Sequence, residues 1–172
     1  MLSKFSIRFF VHKNLNNMIQ RIQSLYLLLT SLSSLLFLKG SILKFFNTPE
    51  TLLMLNFSGL WQLTEGENLV LIRNQILLPV IITVTILLPL IIIFFFKNRK
   101  LQLKLIMIII ITGALLTALI VYLTISISVT YDVRLHLVIR MFLPLIILLF
   151  SLLAYRGIKK DENLVRSYDR LR

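Results

Sequence analysis

The chain has 172 residues, room for one modest domain, but 58% of them are hydrophobic and the formal net charge is +12. Soluble domains stay near roughly 45–50% apolar, and the excess here lies in long Leu/Ile/Phe blocks, which excludes an ordinary soluble domain. Cysteine is absent, which excludes a disulfide framework, a thiolate metal site and a cysteine nucleophile. The basic residues sit in short segments between and beyond the apolar blocks, with no nucleic-acid-binding motif beside them. That placement fits topology signals in contact with anionic lipid headgroups, not nucleic acid.

A hydrocarbon core about 30 Å thick needs roughly 20 apolar helical residues, and several blocks approach that length. Residues 1–17 are mixed, with Lys4, Arg8 and Lys13 spaced among Phe5, Ile7, Phe9 and Phe10. They form either an amphipathic interfacial segment or an extension from a start codon placed too far upstream, with Met18 the first residue. The first span is expected over 22–38, with an extension through Phe46 if Lys39 and Lys44 snorkel. Its Thr30, Ser31, Ser33 and Ser34 are expected to mark a face packed on another helix, since hydroxyls can bond back to the preceding turn.

The stretch 47–74 is the longest between spans. It holds Glu50, Glu65 and Glu67, turn signals at Asn56–Gly59 and Glu65–Asn68, and two apolar runs too short to cross a bilayer. Strands of a small hairpin and a re-entrant or interfacial element are both open for it. Trp61 suits an interface.

The second span, 76–96, is uncharged, with Pro79 in its first turn and Pro89 well inside, where proline kinks a helix. A basic turn follows. The third span, 105–128, carries Gly113 with Thr117 and Ala114 with Ala118, small residues four apart that allow close helix approach. Its Ile/Thr-rich end is expected to stay helical, because an open strand edge cannot survive in lipid. The fourth span is expected over 137–155, with Pro144 in its second turn. The charged tail 158–172 is expected to form a cytoplasmic amphipathic helix, Leu164, Tyr168 and Leu171 along one side and Glu162 four before Arg166.

Basic residues set orientation. The N-terminal region through Arg21 has Lys4, Arg8, Lys13 and Arg21; the middle turn has Lys97, Arg99, Lys100 and Lys104; the tail has Arg156, Lys159, Lys160, Arg166, Arg170 and Arg172. The long loop has only Lys39, Lys44 and Arg73, opposed by three acids, and the last turn only Arg134 and Arg140. Four spans put the two ends and the middle turn on one side. Both termini are therefore expected in the cytoplasm.

Chemistry inside a membrane needs buried nucleophiles, carboxylates or metal ligands. No Asp or Glu falls within the expected spans, His12 and His136 lie outside or at an edge, and no glycine-rich phosphate loop is present. No enzyme activity, cofactor or metal is expected. One polar constellation stands out. Asp132, His136 and Arg140 follow i, i+4, i+8 spacing and share one side of a helix if the fourth span starts early. They would be either a proton- or anion-responsive outer-face site or an anchor whose Arg140 snorkels to headgroups. Lys97, Arg99, Lys100 and Lys104 in the turn, with Asp161, Glu162, Leu164, Arg166, Tyr168, Asp169 and Arg170 in the tail, are candidates for docking lipid or a protein partner. The tail interleaves acids with bases, more than topology alone requires; docking onto the protein's own cytoplasmic turn is the competing account.

Three stretches carry a family resemblance: MIQRIQSLYLLL at 18–29, FKNRKLQLKL at 96–105 and IKKDENLVRSYDRLR at 158–172. Together they resemble the four-helix membrane proteins of Bacteroidota grouped as domain of unknown function 4293. The resemblance covers Met18 to Arg172 and implies a bacterial inner-membrane location without implying an activity. Proteins of that family usually begin at the MIQRIQ stretch, which favours Met18 as the start.

The expected molecule is an all-α membrane protein of three parts: an extension 1–17, a four-helix transmembrane domain 18–157 and a charged tail 158–172. It would be N-in/C-in, with a longer outward loop between helices 1 and 2 and a cytoplasmic C-terminal amphipathic helix. The expected role is a subunit or accessory protein in a membrane complex; the alternative is a small oligomeric transporter or channel.

Overall fold

The computed structural model describes residues 22–46, 52–64, 68–95 and 98–169. The extension 1–17, Met18, Arg21, Glu50, Glu65, Glu67, Lys97 and residues 170–172 lie outside the described residues, as do the side chains of Leu164, Arg166, Tyr168 and Asp169.

The apolar blocks form helices, since a helix satisfies its own backbone where no water can. Helix α1 is described over Ile22–Leu35. Helix α2 is Leu77–Phe94, α3 is Arg99–Tyr131 and α4 is Leu143–Asp169. The segments Leu77–Phe94, Arg99–Tyr131 and Ile139–Asn163 are long and apolar enough to cross a membrane. Within the most apolar window of α3 only 28% of residues are buried in the protein. Its outward face carries Ile111, Leu115, Val121 and Ile125. A helix apolar on its exposed face as well as its buried one has lipid as its solvent.

A sheet corrects the all-α expectation. Among the described residues, strands β1 (Leu43–Phe46), β2 (Leu52–Leu55), β3 (Gly59–Thr64), β4 (Asn68–Asn74) and β5 (Arg134–His136) form one antiparallel sheet in the order β4-β3-β2-β1-β5. The first span therefore does not run on through Phe46: α1 ends at Leu35 and the chain turns into β1. The stretch 47–74 is more than a hairpin, because β2 lies between β1 and β3. Its first turn falls where expected, with Asn56 and Gly59 exchanging backbone hydrogen bonds at 2.9 and 3.3 Å.

The register places Leu43 opposite Leu55, and Phe45 between Leu53 and Leu135. Leu43, Phe45, Leu53, Leu55 and Leu60 are all buried, and they share one core cluster with Ile82, Ile86, Leu116, Ile120 and Ile147 of the helices. Lys44 and Met54, the intervening residues, fall on the opposite face. Period-two burial explains why these runs are strands: only one face of them meets the helices. A smaller cluster of Leu27, Ile92, Ile106, Ile109, Ala154 and Ile158 fills the other end of the bundle. Each helix reverses direction relative to the last, so the molecule has a sheet end and a turn end, the latter named for the 95–98 connection.

Helix α4 departs from the expected fourth span at both ends. β5 and a 3₁₀ turn at Ile139–Phe142 precede it, so it starts at Leu143 with Pro144 in its first turn. It then runs unbroken through 157/158 to Asp169, and the expected tail helix is its continuation.

The buried hydroxyls of α1 find partners within the bundle, whereas Asn56 Oδ1 in the β2–β3 turn is buried without one among the described residues. Thr30 and Ser34 donate to carbonyls one turn back, while Ser31 donates across to the Ile86 carbonyl of α2 at 3.0 Å. That carbonyl adjoins the one of Thr85, which Pro89 leaves without its helical donor. Gly113 marks the close approach of α3 to α4: a Cβ there would stand 3.1 Å from Leu148 Cδ2 and 3.7 Å from Ile147 Cγ2. Ala114 and Ala118, the second small pair, face outward. Gly113→Leu is therefore expected to lower stability in detergent by about 1–3 kcal/mol through overpacking. Ala114→Leu should stay within about 0.5 kcal/mol. Thermal unfolding of the two variants side by side checks the difference.

Candidate functional site

At the sheet end, the expected i, i+4, i+8 trio does not share a helix. Asp132 ends α3 in the left-handed conformation, φ 51° and ψ 47°, its N–H donating to the Ser128 carbonyl. The chain then extends into β5, where His136 pairs with Lys44 and its ring meets Phe46 edge-on, centroids 5.4 Å apart. Arg140 falls in the 3₁₀ turn. Its guanidinium lies over Gly40 and donates to the Ser41 carbonyl at 3.4 Å. Strand pairing to β1 outweighs helix continuation here, so Arg140 clasps the α1–β1 turn in place of snorkelling along a helix face. Gly40 is required twice over: its φ is +79°, and a Cβ would collide with that guanidinium.

The turn end is where the polar chemistry converges. Asp161 is only 7% exposed, and it lies on the α4 face turned toward the bundle. Its carboxylate accepts from Gln23 Nε2 of α1 at 2.7 Å, and its backbone carbonyl accepts from Arg99 Nη1 of α3 at 3.0 Å. Gln102, also buried, donates to the Ile92 carbonyl in the last turn of α2 at 3.1 Å. Gly157 lets Gln23 in, since a Cβ there would stand 2.9 Å from Gln23 Cγ. Four helices are thus tied in one polar layer. A buried carboxylate without partners would cost several kcal/mol, so the layer holds together or fails together.

Of the docking residues expected from sequence, Asp161 is therefore internal and Arg99 half-buried. Lys100 and Lys104 are exposed, Glu162 is partly exposed, and Lys97 and Arg170 lie outside the described residues. Sequence reasoning missed Gln23, Gln102 and Gly157. A glutamine just inside an apolar run needs a buried partner, and that signal was available at both Gln23 and Gln102.

Helix α3 begins against its own dipole. Its first turn has no acid, and Arg99 and Lys100 stand where a helix favours negative charge. Asn98 caps it, accepting from the Leu101 N–H at 3.2 Å. The cations of that first turn do not stabilise the helix that carries them; Arg99 is offset by reaching the α4 carbonyl.

These features define the class: a mostly helical protein whose three long apolar helices mark it as a membrane protein, capped at one end by a small antiparallel sheet. The family model described as Domain of unknown function (DUF4293) matches residues 19–171, and the chain belongs to that family. No curated protein matches it.

Gln23, Arg99 and Asp161 come from the three separate stretches MIQRIQSLYLLL, FKNRKLQLKL and IKKDENLVRSYDRLR, and they meet at one point. Gln23→Leu is expected to destabilise by about 1–3 kcal/mol, because it strands a buried carboxylate. Gln23→Leu combined with Asp161→Leu should recover much of that loss. A double-mutant cycle on thermal unfolding should show non-additive coupling; additive losses would mean that the two side chains do not interact.

Proposed function

We propose that this protein is a non-enzymatic subunit or accessory protein of a bacterial inner membrane, with both termini and the turn end in the cytoplasm. Its partner docks on the basic turn and on the α4 continuation beyond Asp161. One observation carries this reading. The Gln23–Asp161–Arg99 layer fixes the turn and the charged end of α4 against each other, so a docking face made from both has a set shape. The exposed Lys100 supports it, because its charge is unfavourable to the first turn of α3 and so serves something outside the helix, and the exposed Lys104 lies about one turn further along.

The absence of cysteine makes orientation directly testable. A single cysteine at Ser58→Cys should react with a membrane-impermeant maleimide applied to intact cells, while Asn163→Cys should react only after permeabilisation. The reverse pattern would invert the topology.

Affinity purification from native membranes in mild detergent tests the partner. A fixed co-purifying protein is expected, reduced at least tenfold by deletion of 164–172, which spares the buried Ile158 and Asp161. Recovery of the chain only as a homo-oligomer would favour the small transporter or channel.

A further inference from the structure

Arg156, Lys159, Lys160 and Asn163 follow i, i+3, i+4, i+7 spacing, which sets them on one face of α4. All four are exposed, and they line an open recess of about 400 Å³. The opposite face of the same stretch holds the buried Ala154, Ile158 and Asp161. Lys159 Nζ stands 5.6 Å from the centroid of the Tyr155 ring, a cation–π distance that restrains one of the three cations. None of the three forms an ion pair with a carboxylate among the described residues.

Depth and continuity identify the ligand. α3 and α4 run antiparallel, Gly113 beside Leu148 and Arg99 beside Asp161, so the cations lie level with the Lys100–Lys104 stretch of α3. α4 is uncharged from 143 to 155 and turns cationic at Arg156, the change expected where hydrocarbon gives way to headgroups. Toward the bilayer, the same helix face continues through the exposed Leu152, Leu149 and Leu145. A free phosphate would use the cations alone; a phospholipid would use the cations and the leucines together.

We propose that the Arg156–Lys159–Lys160–Asn163 face binds the phosphate headgroup of an anionic phospholipid, whose acyl chains lie along Leu152, Leu149 and Leu145. The guanidinium offers a planar pair of donors to phosphate oxygens, the two ammonium groups add charge, and the Asn163 amide supplies a neutral donor. The site does not depend on the partner reading above, and it holds for either orientation of the protein.

The test is native mass spectrometry of the purified full chain titrated with phosphatidylglycerol or phosphatidylcholine of matched acyl chains. Near a membrane surface each cation contributes roughly fivefold, so the three together give a preference for phosphatidylglycerol on the order of 100-fold. Arg156→Gln/Lys159→Gln/Lys160→Gln should remove that preference, while Lys97→Gln/Lys100→Gln/Lys104→Gln, which removes equal charge elsewhere, should keep most of it. If the triple variant does not purify, the single changes Lys159→Gln and Lys160→Gln decide, each with an expected loss of about fivefold. The proposal is overturned by a wild-type chain without headgroup preference or by single variants that match wild type. Equal losses in the two triple variants would mean diffuse surface charge and would also overturn it. Displacement of the lipid by millimolar inorganic phosphate would assign the cations to free phosphate and remove the lipid.

Discussion

The pairing of β5 with β1 governs the rest of the molecule. Three residues, Arg134–His136, leave the helical path between α3 and α4 and join a sheet whose other strands all lie before α2. Without that pairing, strands β1 to β4 would form a meander held by their packing on the helices but not joined to the α3–α4 connection. With it, both connections at the sheet end belong to one layer, and that layer has an inner face to bury. Phe45 shows the result: it is 0% exposed, between Leu53 and Leu135 on the sheet and close to the helical core. Burying a side chain of that size contributes about 2–3 kcal/mol.

The two ends of the bundle solve the same problem by different means. Every helix terminus leaves backbone groups without intrahelical partners, and beside lipid such groups are expensive. At the sheet end, strands and the Arg140 clasp over Gly40 and Ser41 take up the connections. At the turn end, polar side chains do it: Gln102 reaches the Ile92 carbonyl in the last turn of α2, and Asn98 caps the start of α3. One end is closed by backbone and the other by side chains.

The three long helices were legible because their signal is long. Charge-free runs near bilayer length leave little choice, and even the Ile/Thr-rich end of α3 kept to helix as its lipid setting requires. The sheet was not legible as a whole, because its decisive parts are short. LKFF and RLH are four and three residues, and each follows a segment that reads as helix. Nothing local marks their partnership, since strand pairing across such separation is set by burial of a common face. The Asn56–Gly59 turn was visible because turn chemistry is local. For the site, charge runs pointed to the turn end, where the buried polar contacts converge, but counting charges ranked Asp161 with the surface residues. Its burial follows from the contact with Gln23, which spacing along one chain segment cannot reveal.

The continuity of α4 has a mechanical meaning. Twenty-seven residues from Leu143 to Asp169 form one helix, a rod about 40 Å long at 1.5 Å per residue. It has no internal proline beyond its first turn, whereas α2 carries Pro89 in its last third. A stiff rod transmits torque with little loss, and a kinked one dissipates it at the bend. A twist applied to the charged end of α4 therefore arrives at Leu143, next to the Arg140 clasp and β5, and reaches the sheet through them.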